Sequence, residues 1–209
     1  KLSAYIEYWQ LLGRIRSAEP KAAATDVAQF MRRHADTYIA DRLRFDWALV
    51  LASQSDYQGF EREAAQLAWW TDDAQFRCYL ALSNYRRAIA KQADAFASEA
   101  RQLLANTKDS AGEGCIALTE ALLADSRISV WGRVRALVEQ NQLDAAKRIG
   151  SRALDSGGRP VDQRLLTQAI DRPAAFLTAN ERRLTEVQRE LAIVAVVRLA
   201  RDNPQDAAE

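Results

Sequence analysis

The chain has 209 residues and a formal net charge of +1, from 29 basic and 28 acidic side chains, and 48% of its residues are apolar. That length and apolar share suffice for a buried core and exclude a disordered tail, while the near-neutral balance lacks the basic excess of a typical nucleic-acid binder. The longest uninterrupted apolar run, Leu191–Val197, falls far short of the ~20 residues that span a bilayer.

Alanine is the commonest residue, glycine and proline are few, and most of the basic residues are arginine. Alanine, leucine and arginine lose little rotamer freedom in a helix. Valine, isoleucine and threonine do not alternate with polar residues, so strands find no support. The chain is expected to be all-α. Arg32–Arg33, Arg86–Arg87 and Arg182–Arg183 are isolated pairs with acids such as Asp36 and Glu181 nearby. This is the pattern of solvated helix faces.

In chain order, "AYIEYWQLLGRI" sets Tyr5, Tyr8, Trp9 and Leu12 on one helical face. Pro20 closes the connection, and Thr25-Asp26 opens "DVAQFMRRHAD". A third helix, "TYIADRLRFDWALVLASQ", groups Ile39, Leu43, Trp47, Val50 and Leu51. The next starts at the capping pair Ser55-Asp56, whose side-chain oxygens can accept free backbone N–H groups. Further helices are expected around 73–91, 94–106, 112–125, 129–140, 143–154, 160–171 and 184–202. The last contains "LAIVAVVRLA", apolar nearly all round, as a helix covered on both sides would be.

Connections are short, so neighbouring helices should form antiparallel hairpins. The turns in "SQSDYQGFEREA", "EQNQLDAAKRI" and "RDNPQDAAE" look alike. They share the local grammar of tetratricopeptide-like arrays, without a strict repeat length. The expected architecture is a solenoid of short hairpins forming a single domain over 1–209, with Gly157-Gly158 and Pro160 in an ordinary interhelical turn. Lys1-Leu2-Ser3 leads straight into a helical pattern, and the far end reads as a turn opening another helix. Both ends are expected to be edges of a larger protein.

Candidate chemistry is sparse. The one histidine, His34, lies near a helix end, where capping or solvent exposure is the ordinary role. One histidine and two distant cysteines do not make a metal site. No glycine-rich phosphate loop, serine elbow or His-Glu-x-x-His motif occurs. Asp72-Asp73 sits where a helix N-cap belongs, and Glu61 and Glu63 point to different faces. Trp69-Trp70 resembles a sugar-binding platform, but with Tyr57, Phe60 and Phe76 nearby a packed aromatic cluster is the expected reading. Cys78 aligns with Leu82, Tyr85 and Ile89, and Cys115 with Leu118 and Leu122. Both cysteines face inward, and at this level two buried thiols and one bridge fit equally.

Taken in order, "YIEYWQL", "VAQFMRRHADTYIADRLRFDWALVLASQSDYQGF", "FRCYLAL", "GEGCIAL", "VWGRVRALVEQNQLDAAKRI", "DRPAAFLT" and "ELAIVAVVRLARDNPQDAA" resemble the N-terminal helical superhelix of the soluble lytic murein transglycosylases. Tyr57 stands where tryptophan is expected. The resemblance implies a right-handed superhelix, a periplasmic location, and a separate goose-type-lysozyme-like domain for catalysis. That domain cleaves between N-acetylmuramic acid and N-acetylglucosamine with a 1,6-anhydro product, through one acid–base glutamate. Its signatures, Glu-Ser-x-Phe and Gly-Leu-Met-Gln, are absent from this chain. No catalytic, cofactor or metal residue is therefore carried over. The chain alone is expected to be silent, helping to position peptidoglycan strands within the full-length enzyme. The resemblance also implies a disulfide between Cys78 and Cys115, which an oxidising periplasm would preserve. The competing class is a tetratricopeptide-like adaptor whose concave face takes a peptide.

Overall fold

The structure, a computed structural model, describes residues 2–17, 19–180 and 184–205. Arg182–Arg183 with Glu181, and the further helix expected beyond Pro204, lie outside those residues. The chain is all-helical. Its elements are α1 (Leu2–Ile15), a 3₁₀ turn (Pro20–Ala23), α2 (Ala24–Arg33), α3 (Tyr38–Ser53), α4 (Tyr57–Ala64), α5 (Ala74–Arg87), α6 (Ala90–Asn106), α7 (Glu113–Ala124), α8 (Val130–Glu139), α9 (Leu143–Gly150), α10 (Gln163–Asp171), α11 (Pro173–Ala179) and α12 (Glu186–Asp202). Among the described residues, extended pairing is confined to one isolated bridge between Leu154 and Pro160. No helix among them is long and apolar enough to cross a membrane.

Local chemistry explains most boundaries. Thr37, Asp56, Asp73, Ser129, Asp162 and Thr185 each accept a backbone N–H of the first helical turn. At α12 the side chain of Gln188 reciprocates, making a capping box. Three helices end alike, with Ser55, Ser126 and Asn141 in the left-handed region. The following residues, Asp56, Arg127 and Gln142, donate back to Leu51, Leu122 and Leu137 carbonyls. These are Schellman closures. Two fall in turns whose sequences look alike, and the third, at Ser126, has no such signal.

Two compact units are resolved, residues 1–100 with 113–118, and residues 101–112 with 119–209. In the first, α3 is central and packs against α1, α2, α4 and α5. Ile39, Leu43, Trp47 and Leu51 are buried as their spacing predicts, while Val50 is half-buried. The face of α1 differs from expectation. Tyr8, Leu11, Leu12 and Ile15 are buried, and Tyr5 and Trp9 are exposed. The aliphatic positions fit against the interior, and the Trp9 ring stays outside against the edge of Tyr8, 5.2 Å between centroids.

In the second unit α8 and α9 form a hairpin, and α12 packs on α8, α10 and α11. Leu137, Ile149, Leu166, Phe176 and Leu191 are fully buried. The expected all-round burial of α12 is not found, since Ile193 and Val196 are exposed while Val194 and Ala195 are covered. Pro173 at the first turn of α11 suits that position because its missing N–H has no helical acceptor there. The Gly157-Gly158 segment is an interhelical turn. Asp155 accepts from the N–H groups of Gly157 and Arg159, and Gly158 takes a positive φ of 75°.

Within the first unit the start of α7 is clamped to α5. Cys78 and Cys115, both fully buried, form a disulfide with an S–S distance of 2.05 Å and a Cα–Cα separation of 4.9 Å. The Gln75 side-chain oxygen accepts the N–H groups of Gly114 and Cys115, at 2.9 and 3.3 Å. It supplies the cap that Gly112, the N-cap of α7, cannot make. A Cβ on Gly114 would lie 2.6 Å from the Gln75 carbonyl oxygen and 2.9 Å from the Tyr79 ring. Gly114→Ala is therefore expected to cost ~2–3 kcal/mol, read by thermal or denaturant unfolding, because backbone cannot move aside as a side-chain tip can. Unchanged stability would refute that close approach.

Candidate functional site

The site begins where α2 hands over to α3. The chain passes through Asp36 in the left-handed region, at φ 61°. The Thr37 hydroxyl donates to the His34 carbonyl at 2.6 Å and accepts the Ala40 N–H at 3.4 Å, which starts α3. The first turns of α3 then present Tyr38, Asp41, Arg42 and Phe45 beside the segment leaving α4. Asp41 is buried, and its two oxygens accept the N–H groups of Ala68 and Trp69 at 3.0 Å each.

That grip fixes an irregular turn. Trp70 adopts φ 69°, a left-handed conformation that an aromatic side chain takes only when its surroundings compel it. Its indole lies under the Arg42 guanidinium at 4.4 Å, with Phe45 and Tyr38 centroids 5.8 and 5.6 Å away. Cation–π attraction and ring packing hold it down. Trp69 is the more exposed of the two. It is 48% exposed, as Tyr38 is at 50%, and their ring centroids are 5.9 Å apart.

The expected packed tryptophan pair is therefore uneven: both rings lie against Tyr38, but Trp70 is half-buried in the cluster while Trp69 is exposed. The wider aromatic cluster exists, running from Phe45 to Phe76 and on to Phe60 and Tyr79 at 5.4–6.2 Å. Tyr57 instead carries the Arg86 guanidinium at 5.3 Å.

Beside Trp69 opens a cleft of 570 Å³, lined by Met31, Thr37, Asp41, Arg44 and Gln66 among others. Arg44 forms one wall, paired with Glu63 at 3.4 Å and donating to the Gln66 carbonyl at 3.3 Å. Of the carboxylates in and beside the cleft, Asp41 is held on backbone amides and Glu63 on Arg44, while Asp36 also lines the wall. What the cleft offers a ligand is the Trp69 ring face, the Arg44 guanidinium, the Gln66 side chain and the Asp36 carboxylate. A ring face beside mixed donors and acceptors suits a hydroxyl-rich molecule.

The other singled-out residues lie apart from it. His34 tilts onto Phe30 at 4.5 Å, and its Nε2 is 3.8 Å from Glu7. Asp73 caps α5 through the N–H groups of Gln75 and Phe76. Glu61 pairs with Arg87 at 3.0 Å and accepts from the Ser83 hydroxyl. Among the described residues no three His, Cys, Asp or Glu side chains are grouped to hold a metal ion. Asp41 and Arg44 escape sequence reading because their partners lie far along the chain. The available signal was a carboxylate within a helix buried on most sides. No protein-family model matches the chain, and no curated protein matches it.

Proposed function

We propose that this chain is the non-catalytic superhelical segment of a periplasmic lytic murein transglycosylase, and that it helps to hold glycan strands. In this reading the short helices are successive hairpins of a right-handed, tetratricopeptide-like superhelix, and cleavage of the MurNAc–GlcNAc bond to a 1,6-anhydro end belongs to a domain outside the chain. The ordered sequence resemblance and the buried disulfide support the family and the compartment. The observation that carries the binding role is the exposed Trp69 face beside a polar cleft.

The test is co-sedimentation and titration with purified sacculi and soluble, uncrosslinked glycan strands. Saturable binding is expected, and Trp69→Ala should weaken it about fivefold, close to 1 kcal/mol. Because Trp69 is half exposed, the variant should keep the parent's melting temperature. Strands that fail to bind would remove the glycan role. Release of anhydromuropeptides by the chain alone would overturn its non-catalytic assignment.

A further inference from the structure

The second unit contains a cavity unrelated to the cleft above. It is an open recess of 380 Å³ where the last turn of α6 meets the first turn of α8. Leu104, Ile128 and Ala136 give it aliphatic walls, and Arg101, Arg127 and Arg133 also line it.

Arg133 is the unusual member. It is 6% exposed, and its terminal nitrogens donate to the carbonyls of Leu104 at 3.4 Å and Ser110 at 3.0 Å. Its Nε is buried without a hydrogen-bond partner. Among the described residues no carboxylate lies within ion-pair distance of it. Carbonyl dipoles solvate the guanidinium in part, but its full charge is buried without a counter-ion. Burial pulls the pKa of Arg133 down to about 10. A cation so placed is costly unless an anion completes it.

Two further features aim positive potential at the same space. Arg101 is exposed and donates to the Arg127 carbonyl at 3.1 Å, which holds its guanidinium at the rim. Helix α8 starts there, with Ser129 as N-cap accepting the Gly132 N–H at 3.2 Å, so the positive end of its dipole faces the cavity mouth. A bare inorganic ion would leave the aliphatic walls uncovered. We infer that the recess binds a small carboxylate carrying a short aliphatic body, of the size and chemistry of the C-terminus of a short apolar peptide. The head would pair with Arg133 and Arg101, and the body would cover Leu104, Ile128 and Ala136.

This site stands independently of the glycan role, so either can fail alone. The experiment is calorimetric or NMR titration of the full chain with N-acetyl-alanyl-alanine, its C-terminal amide, acetate and inorganic phosphate. The acid is expected to saturate, with the amide about tenfold weaker or more. Acetate should be weaker because it lacks the body, which distinguishes a peptide terminus from a simple free acid. Arg133→Met should reduce acid binding about tenfold. Because that change also removes two bonds to backbone, Arg101→Gln is the companion, expected to weaken binding about threefold while melting is unchanged. Equal binding of acid and amide would overturn the inference. So would phosphate binding as tightly as the acid, affinity unaltered in both variants, or no saturation with the acid.

Discussion

The Cys78→Ala/Cys115→Ala double variant is expected to melt well below the parent chain. The bridge joins positions 37 apart in sequence, and a closed loop of that length removes about 4 kcal/mol of unfolded-chain freedom in the entropy model. For a chain of this size that corresponds to a fall of roughly 8–16 °C in melting temperature. Both sulfurs are fully buried, so the alanines also leave unfilled space. Each single variant should fall by nearly as much, since one sulfur alone cannot close the loop. Thiol titration of the denatured, unreduced protein should find no free thiol, whereas two would count against both the bridge and the oxidising compartment. Parent-like melting of the double variant would show that the loop constraint is not what stabilises α5 against α7.

The second large effect is expected at Asp46, which lies inside α3 and is 5% exposed. Its carboxylate accepts from the Tyr8 hydroxyl at 2.8 Å and from Arg42 Nε at 3.1 Å, with Arg16 at 3.5 Å. Asp46→Ala leaves a buried phenol without an acceptor and Arg42 without its anion. The expected loss is ~3 kcal/mol, at the low end for a broken buried pair because Arg42 and Arg16 both reach water. Tyr8→Phe, which removes only the hydroxyl, should cost ~1 kcal/mol. A loss at Asp46 no larger than at Tyr8 would show that the arginines contribute nothing. There is also a signature in pH. Burial, then the bond to Asp46, raises the Tyr8 phenol above its ordinary value. Its contribution is therefore whole below the unfolded value near ~10 and declines as pH rises past it. That alkaline decline should be shallower in Asp46→Ala.

Helix positions were legible to within a few residues wherever a cap and an apolar period coincided, as at Asp56, Asp73 and Thr185. The short α11 was not, because seven residues starting at Pro173 hold too few apolar positions to show a period. Periodicity also overrated aromatics. It placed Trp9 inward, where the structure buries Leu11 and Ile15, and it placed Ile89 on the face of Cys78, although α5 ends at Arg87 and Ile89 is exposed. The spacing of the cysteines left thiols and bridge equally open. What brings them together is tertiary, the absent side chain of Gly114 and the reach of Gln75. The cleft was half legible: Trp69-Trp70 stood out, but nothing local announces that Asp41 will hold amides 27 and 28 positions later. Nor does anything local announce that Trp70 will turn left-handed.

The sulfur bridge also changes how the chain bears tension. A pull on its two ends passes from α5 to α7 through the sulfurs, so the 36 residues between Cys78 and Cys115, including all of α6, lie outside the load path. At ~3.4 Å per residue the bridged chain stretches about 12 nm less than the reduced one. The chain would keep that stretch slack under force, releasing it only when the bond is reduced.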